Sequence, residues 1–182
     1  MSAWWWVAIV IVAVLLGLYL SMTAGRLDRL HRRIDASSSA LDVQLLKRSA
    51  LALDLASAGV FDPATTVVLA DSAHAARAAS EDDLIGRGLS ESNLTRVLVE
   101  ALPSPSEVDD LRDEPEAAEM LDELRSVCLR VQLSRRFHND AVRACRQVRK
   151  QRFVRWFRLA GRTAWPETLE MDDTPPPGIA LR

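Results

Sequence analysis

The side chains best suited to chemistry are few and scattered. Histidine stands at His31, His74 and His138, and cysteine at Cys128 and Cys145. A metal site draws on several such ligands, and the local sequence usually supplies two of them as a His-x-x-x-His or Cys-x-x-Cys pair. Neither pair occurs, so no metal and no cofactor is expected, and His74 is expected in or beside a helical core. Ser37-Ser38-Ser39 offers hydroxyls without a base nearby, and small residues in a row thin a helix face for close packing. Gly86-Arg87-Gly88 is too short for a phosphate-cradling loop and opens no strand–helix unit. Carboxylates are plentiful, but on a helix surface they are ordinarily solvated. With no nucleophile–base pair, metal cluster or phosphate loop, the chain is expected not to be an enzyme. A hydrolase whose site leaves no local signature is the enzymatic alternative.

Two polar features remain. Asn139 and Asp140 interrupt an otherwise helical stretch. Asn139 is expected to make an inter-helix hydrogen bond that fixes register, as a buried Asn does in a coiled coil; a binding role is the alternative. Charge is also sorted along the chain. From Glu107 to Glu123 there are nine acids and one base, and from Arg125 to Arg162 twelve bases and one acid. At about 100° per residue on a helix, Phe153, Trp156 and Phe157 share one side and Arg152, Arg155, Arg158 and Arg162 the other. Such a segment either closes the bundle core with its aromatics or lies on an anionic membrane surface. It also fits a partner-binding helix or a nucleic-acid arm. The net charge of −2 for 182 residues argues against nucleic acid held through overall charge.

The elements that must position these residues are helical. The chain is 48% apolar and 26% charged, with only seven Gly and one Tyr, and it is rich in Ala, Leu, Arg and Glu. Ala3–Leu20 is unbroken apolar or small sequence, and Ala3–Thr23 as a helix spans roughly 30 Å, the thickness of a bilayer core. Trp4, Trp5 and Trp6 flank one end and Tyr19 the other, as interfacial rings do. A cleaved signal peptide would need a basic start, and no Lys or Arg precedes Arg26. Arg26, Arg29, Arg32 and Arg33 follow the span, so the positive-inside rule places the N-terminus outside and the remainder in the cytoplasm. Ala13, Gly17 and Ser21 recur every fourth residue, a small-residue ribbon on which a second membrane helix can approach.

Beyond the span, Leu27, Leu30, Ile34, Leu41, Leu45, Ala52 and Leu55 keep helical spacing, with Ser37 and Arg48 interrupting. Gly59 should end this helix. Asp62-Pro63 should open the next, which runs to about Ser80. Ser80–Gly88 reads as a loop, and Ser90 as the cap of a short helix ending at Leu102. Ser104-Pro105-Ser106-Glu107 is a capping box. A long helix is expected from about Glu116 to Leu159, carrying both cysteines about 25 Å apart, too far to bond. The acidic, proline-rich residues 166–182 read as a solvated tail.

The stretches Arg33-Ile34-Asp35 and Ala40-Leu41-Asp42-Val43-Gln44-Leu45-Leu46-Lys47-Arg48 resemble the first long helix of the LemA family. Ser134-Arg135-Arg136-Phe137-His138-Asn139-Asp140-Ala141-Val142 resembles that family's last-helix motif, with His138 in place of the second aromatic. Trp165-Pro166-Glu167-Thr168-Leu169-Glu170 is similar to its closing segment. Cys145-Arg146 stands where the family has Tyr-Asn, and the region after it is basic. The resemblance implies an all-α protein: an N-terminal transmembrane helix followed by an antiparallel (up-and-down) four-helix bundle. The expected divisions are an anchor at 1–25, a cytoplasmic bundle at 26–165 and the tail at 166–182. It also implies a single-pass, N-out scaffold or adaptor of the bacterial cell envelope. The expected partners are the lipid bilayer and a protein, or a second copy, met through the membrane helix. The residues expected to interact are Gly17, Ser21, Arg135, Asn139, Arg152, Arg155, Trp156, Arg158 and Arg162. The competing reading is a lipid-surface organiser that uses the basic end of the last helix. That end returns to the membrane only if the second and third helices are separate legs, not one broken leg.

Overall fold

The computed structural model describes residues 4–80, 82–157, 159–161 and 163–180. Among these the chain forms six α-helices and a short 3-10 turn, with no strand. Helix α1 (Trp4–Ser57) is one continuous rod of 54 residues. The apolar span therefore passes into the polar part without a break, as the lack of proline before Pro63 allows. Gly59 stops it with φ 74°, a left-handed conformation that residues with a Cβ rarely take. Helix α2 (Pro63–Ala78) starts at the Asp62 cap, whose carboxylate accepts from the Ala64 and Thr65 amides at 2.9 and 3.2 Å.

Helix α3 (Leu84–Ala101) begins six residues before the expected Ser90 cap. Asp83 is the cap instead, accepting from the Gly86 amide at 2.9 Å. Gly86 and Gly88 are helical here, and their missing side chains leave room rather than flexibility. A Cβ on Gly88 would overlap the Glu170 carbonyl, and one on Gly86 the Asp83 carboxylate. Helix α4 (Pro105–Leu111) starts at Ser104, whose hydroxyl accepts from the Glu107 amide at 3.4 Å and donates to its carboxylate at 2.8 Å.

Helix α5 (Pro115–Arg149) is shorter than expected, and a separate α6 (Arg152–Trp156) follows it. The cause is the buried stripe Ala141, Cys145, Val148. Continued straight, that stripe would next bury positions 152 and 155, both arginine. The chain breaks at Lys150–Gln151 and inserts Val154 instead.

The chain divides into two compact units. The first holds the residues up to Ala36 with Asp140–Glu167. Its core is Leu27, Cys145, Val148 and Val154, with Leu30, Ile34 and Leu159 against it. The second holds Ser37–Asn139 with the residues from Thr168 on. Leu45, Leu55, Leu69, Leu94, Leu98, Leu121 and Leu124 are fully buried in its core. In this second unit α2 and α3 are separate, antiparallel legs. The start of α2 (Ala64, Val68) lines a hollow with the end of α3 (Val97, Ala101), and Ala76 and Arg77 line another with Arg87 and Glu91. The ion pairs Asp42–Arg87 and Arg48–Glu91 ascend α1 and α3 together, so those two helices run the same way.

Residues 168–180, expected in a solvated tail, are a packed strap. Leu169 and Ile179 are each 2% exposed and belong to the core of the second unit. The closing turn Pro177–Ile179 is pinned where the Gly178 amide donates to the Leu102 carbonyl at 2.9 Å.

Candidate functional site

Hydrocarbon-like surface dominates the first unit. An 18-residue window of α1 has mean hydropathy 2.5 and none of it is buried by protein. One helix is thus long and apolar enough to cross a membrane. Gly17 and Ser21 lie on this open surface, and a Cβ on Gly17 would meet nothing within 4 Å. Near the end of the apolar run, the Thr23 hydroxyl donates to the Tyr19 carbonyl at 2.8 Å, which satisfies it within the helix.

The Tyr19 ring meets Phe153 of α6 edge to face, with centroids 6.2 Å apart. Val154, one residue on, is buried in the Leu27 cluster. Trp156 is 81% exposed and tilted against Phe157 at 5.6 Å, while Phe153 and Phe157 are 49% and 43% exposed. The aromatics therefore do not close a bundle core, since only Val154 points inward. Arg152 and Arg155 are exposed beside them. Arg158 and Arg162 lie outside the described residues, so the expected arginine face is represented by these two. A five-residue α6 also replaces the long amphipathic helix on which that face was laid out.

Arginines of α5 hold the segment that follows. Arg146 Nε donates to the Pro166 carbonyl at 2.7 Å. Arg149 donates to the Ala164 and Thr163 carbonyls at 2.6 and 2.8 Å and sits 4.9 Å from the Trp165 ring centroid. These cations organise backbone, which no single-residue pattern announced.

In the second unit, Asn139 and Arg135 act on the strap. The Asn139 amide donates to the Leu169 carbonyl at 3.1 Å and accepts from the Leu169 amide at 3.0 Å. Asn139 thus makes a two-point clamp on an extended segment, a contact that the expected inter-helix bond did not include. Arg135 Nε lies 2.7 Å from Asp173 Oδ2, both largely buried. Arg48 is buried in an ion pair with Glu91 at 2.5 Å, and its Nη1 donates to the Thr95 hydroxyl at 3.0 Å. Helical spacing marks Arg48 as an interruption and the family-like stretch ends on it, but neither points to Glu91. Burial pushes the Glu91 carboxyl above the usual carboxylate range, while Arg48 beside it pulls the other way.

Burial raises the thiols of Cys128 and Cys145, which keeps them protonated and weakly nucleophilic. His74, expected in or beside the core, is exposed on α2. Among the described residues no three His, Cys, Asp or Glu side chains come together as metal ligands. What the arrangement offers is an apolar rod, an aromatic and cationic turn beside it, and a clamped strap. Comparison of the chain with protein-family models, curated proteins and solved structures finds no match.

Proposed function

We propose that this chain is a single-pass membrane protein that carries a helical scaffold on the inner side of the membrane, with α6 at the lipid surface, and carries out no reaction of its own. The observation that carries this reading is the packing of Phe153 on Tyr19. Tyr19 closes the apolar span, so α6 and the exposed Trp156 ring sit at the level where span and water meet. An indole is at home there, with its apolar body among acyl chains and its N–H among headgroups. Arg152 and Arg155 alongside it favour an anionic leaflet. The basic flank Arg26–Arg33 orients the N-terminus outside and the remaining helices in the cytoplasm.

The helical part is, in this reading, the up-and-down four-helix arrangement that the LemA resemblance implies. The directions of α1, α2 and α3 in the second unit support it, with α5 as the fourth leg. A bacterial-envelope adaptor fits a scaffold without a reactive centre, and the partners are the bilayer and a protein or second copy met along the Gly17–Ser21 ribbon. Nucleic acid has no place in it.

The test is protection from trypsin in vesicles containing the full chain. Lys150, Arg152 and Arg155 are exposed cleavage points. Two or three basic groups at about 1 kcal/mol each should slow cutting there by about tenfold or more in acidic-lipid vesicles over neutral ones. High salt should erase the difference, because screening then acts within a few ångströms. Equal cleavage in both lipids at low salt would remove α6 from the membrane surface.

A further inference from the structure

The strap of the second unit is recognised mainly through its main chain. Asn139 clamps both polar groups of Leu169, and the Gln132 amide donates to the Asp173 carbonyl at 2.8 Å. The Thr95 hydroxyl donates to the Asp172 carbonyl at 2.8 Å, and the Asp172 amide donates to the Ser92 hydroxyl at 2.9 Å. These bonds come from α3 on one side and α5 on the other. Arg135 on Asp173 adds one charged contact, Leu169 fills one apolar socket, and the turn carrying Ile179, ten residues on, packs beyond it against α4 and the end of α3.

Side chains satisfying an extended backbone, with sockets for a few anchors, are how a groove reads a peptide. Residues 168–176 form neither helix nor strand, so their main-chain groups need other partners, and those of Leu169, Asp172 and Asp173 find them in these side chains. Gly88 completes the groove, because any Cβ there would strike the Glu170 carbonyl.

We propose that the α3–α5 groove is a peptide-binding site, filled in cis by residues 168–180 and in trans by the same segment of a neighbouring copy. Exchange of identical segments forms no new kind of contact, so its cost lies in reach and hinge strain. Copies anchored in one membrane are confined to its plane, which raises their concentration near one another; that clause alone rests on the membrane reading. The ligand chemistry is an aliphatic anchor, an acid four residues later and a second aliphatic ten residues after the first.

The groove is tested without a membrane. A specific protease site is inserted after Glu167 in the full chain, which is purified in detergent and cut, and a labelled peptide of residues 168–180 is added. The expected result is retained helicity and saturable uptake of the peptide. Uptake should weaken by about tenfold or more with Leu169→Asp in the peptide, since a carboxylate replaces a fully buried anchor. Asn139→Ala in the chain should weaken it as well. Loss of helicity on cutting, absence of uptake, or uptake indifferent to Leu169→Asp would each overturn the site. Trans exchange is tested in membranes holding two tagged copies, one with Gln132→Cys and the other with Asp173→Cys. A disulfide-linked pair of copies is expected under mild oxidation, and its absence at every expression level overturns exchange even if the groove stands.

Discussion

Arg48→Met is the substitution for which the structure gives the clearest magnitude. Arg48 and Glu91 are ion-paired with side chains each 3% exposed, so neither charge has water to fall back on. Methionine keeps the apolar volume of the arginine stem but leaves the Glu91 carboxylate buried and unpaired. Breaking such a pair typically costs about 3–5 kcal/mol. At about 2–4 °C per kcal/mol for a chain of this size, the melting temperature should fall by about 6–20 °C near pH 7.5. The pH dependence has a definite sign. Glu91's folded pKa is raised by burial, so its ionised form is the disfavoured one in the folded chain. The penalty is full above the folded pKa and fades as pH falls through it toward the unfolded value. Arg48→Met enlarges that penalty, so its deficit should shrink as the pH is lowered toward 5. Arg48→Met with Glu91→Met should recover most of the loss, because an apolar pair of similar volume replaces the ionic one. Thermal melts of the full chain in detergent, followed by circular dichroism at both pH values, measure all three. A single variant as stable as the parent, or one more impaired at pH 5 than at 7.5, would refute this view of the pair.

Three further outcomes are expected. Gly17→Leu should leave insertion intact while abolishing self-association in a membrane two-hybrid assay, because a large side chain blocks approach to the ribbon; unchanged association would reduce the ribbon to composition. Gly88→Ala should destabilise by about 1–3 kcal/mol through forced displacement of the strap, with faster hydrogen exchange at the Leu169 amide; a neutral melt with protection intact would show that α3 yields at no cost. A reporter active only in the cytoplasm, fused after Arg182, should be active, and the reverse result would overturn the N-out orientation.

Features written in neighbouring residues were legible in the sequence. The long apolar helix, the Gly59 stop, the Asp62-Pro63 start and the Ser104 cap each depend on adjacent positions, and each is where the residues placed it. The buried leucines at 41, 45 and 55 followed from helical spacing. What failed depends on partners distant in sequence. Asn139 advertises a need for hydrogen bonds but not that Leu169, thirty residues on, meets it. Gly88 reads as loop because local rules cannot see the Glu170 carbonyl that demands the space, whereas the Asp83 carboxylate that crowds Gly86 is only three residues away. Acid and proline made residues 168–180 look solvated, although Leu169 and Ile179 were apolar enough to anchor them. The end of α5 is itself present in the residues: the stripe through Ala141, Cys145 and Val148 points at Arg152 and Arg155, although the charge pattern alone reads as one long helix.

The position of Trp156 tests the central claim most directly. With Trp4, Trp5, Trp6 and Trp165 changed to Phe, Trp156 is the chain's remaining tryptophan, and its fluorescence in acidic-lipid vesicles reports depth. Lipids brominated high on the acyl chain should quench it more than lipids brominated near the bilayer centre, and aqueous iodide should quench it weakly. Full access to iodide with no quenching by any brominated lipid would place α6 in water and contradict the account.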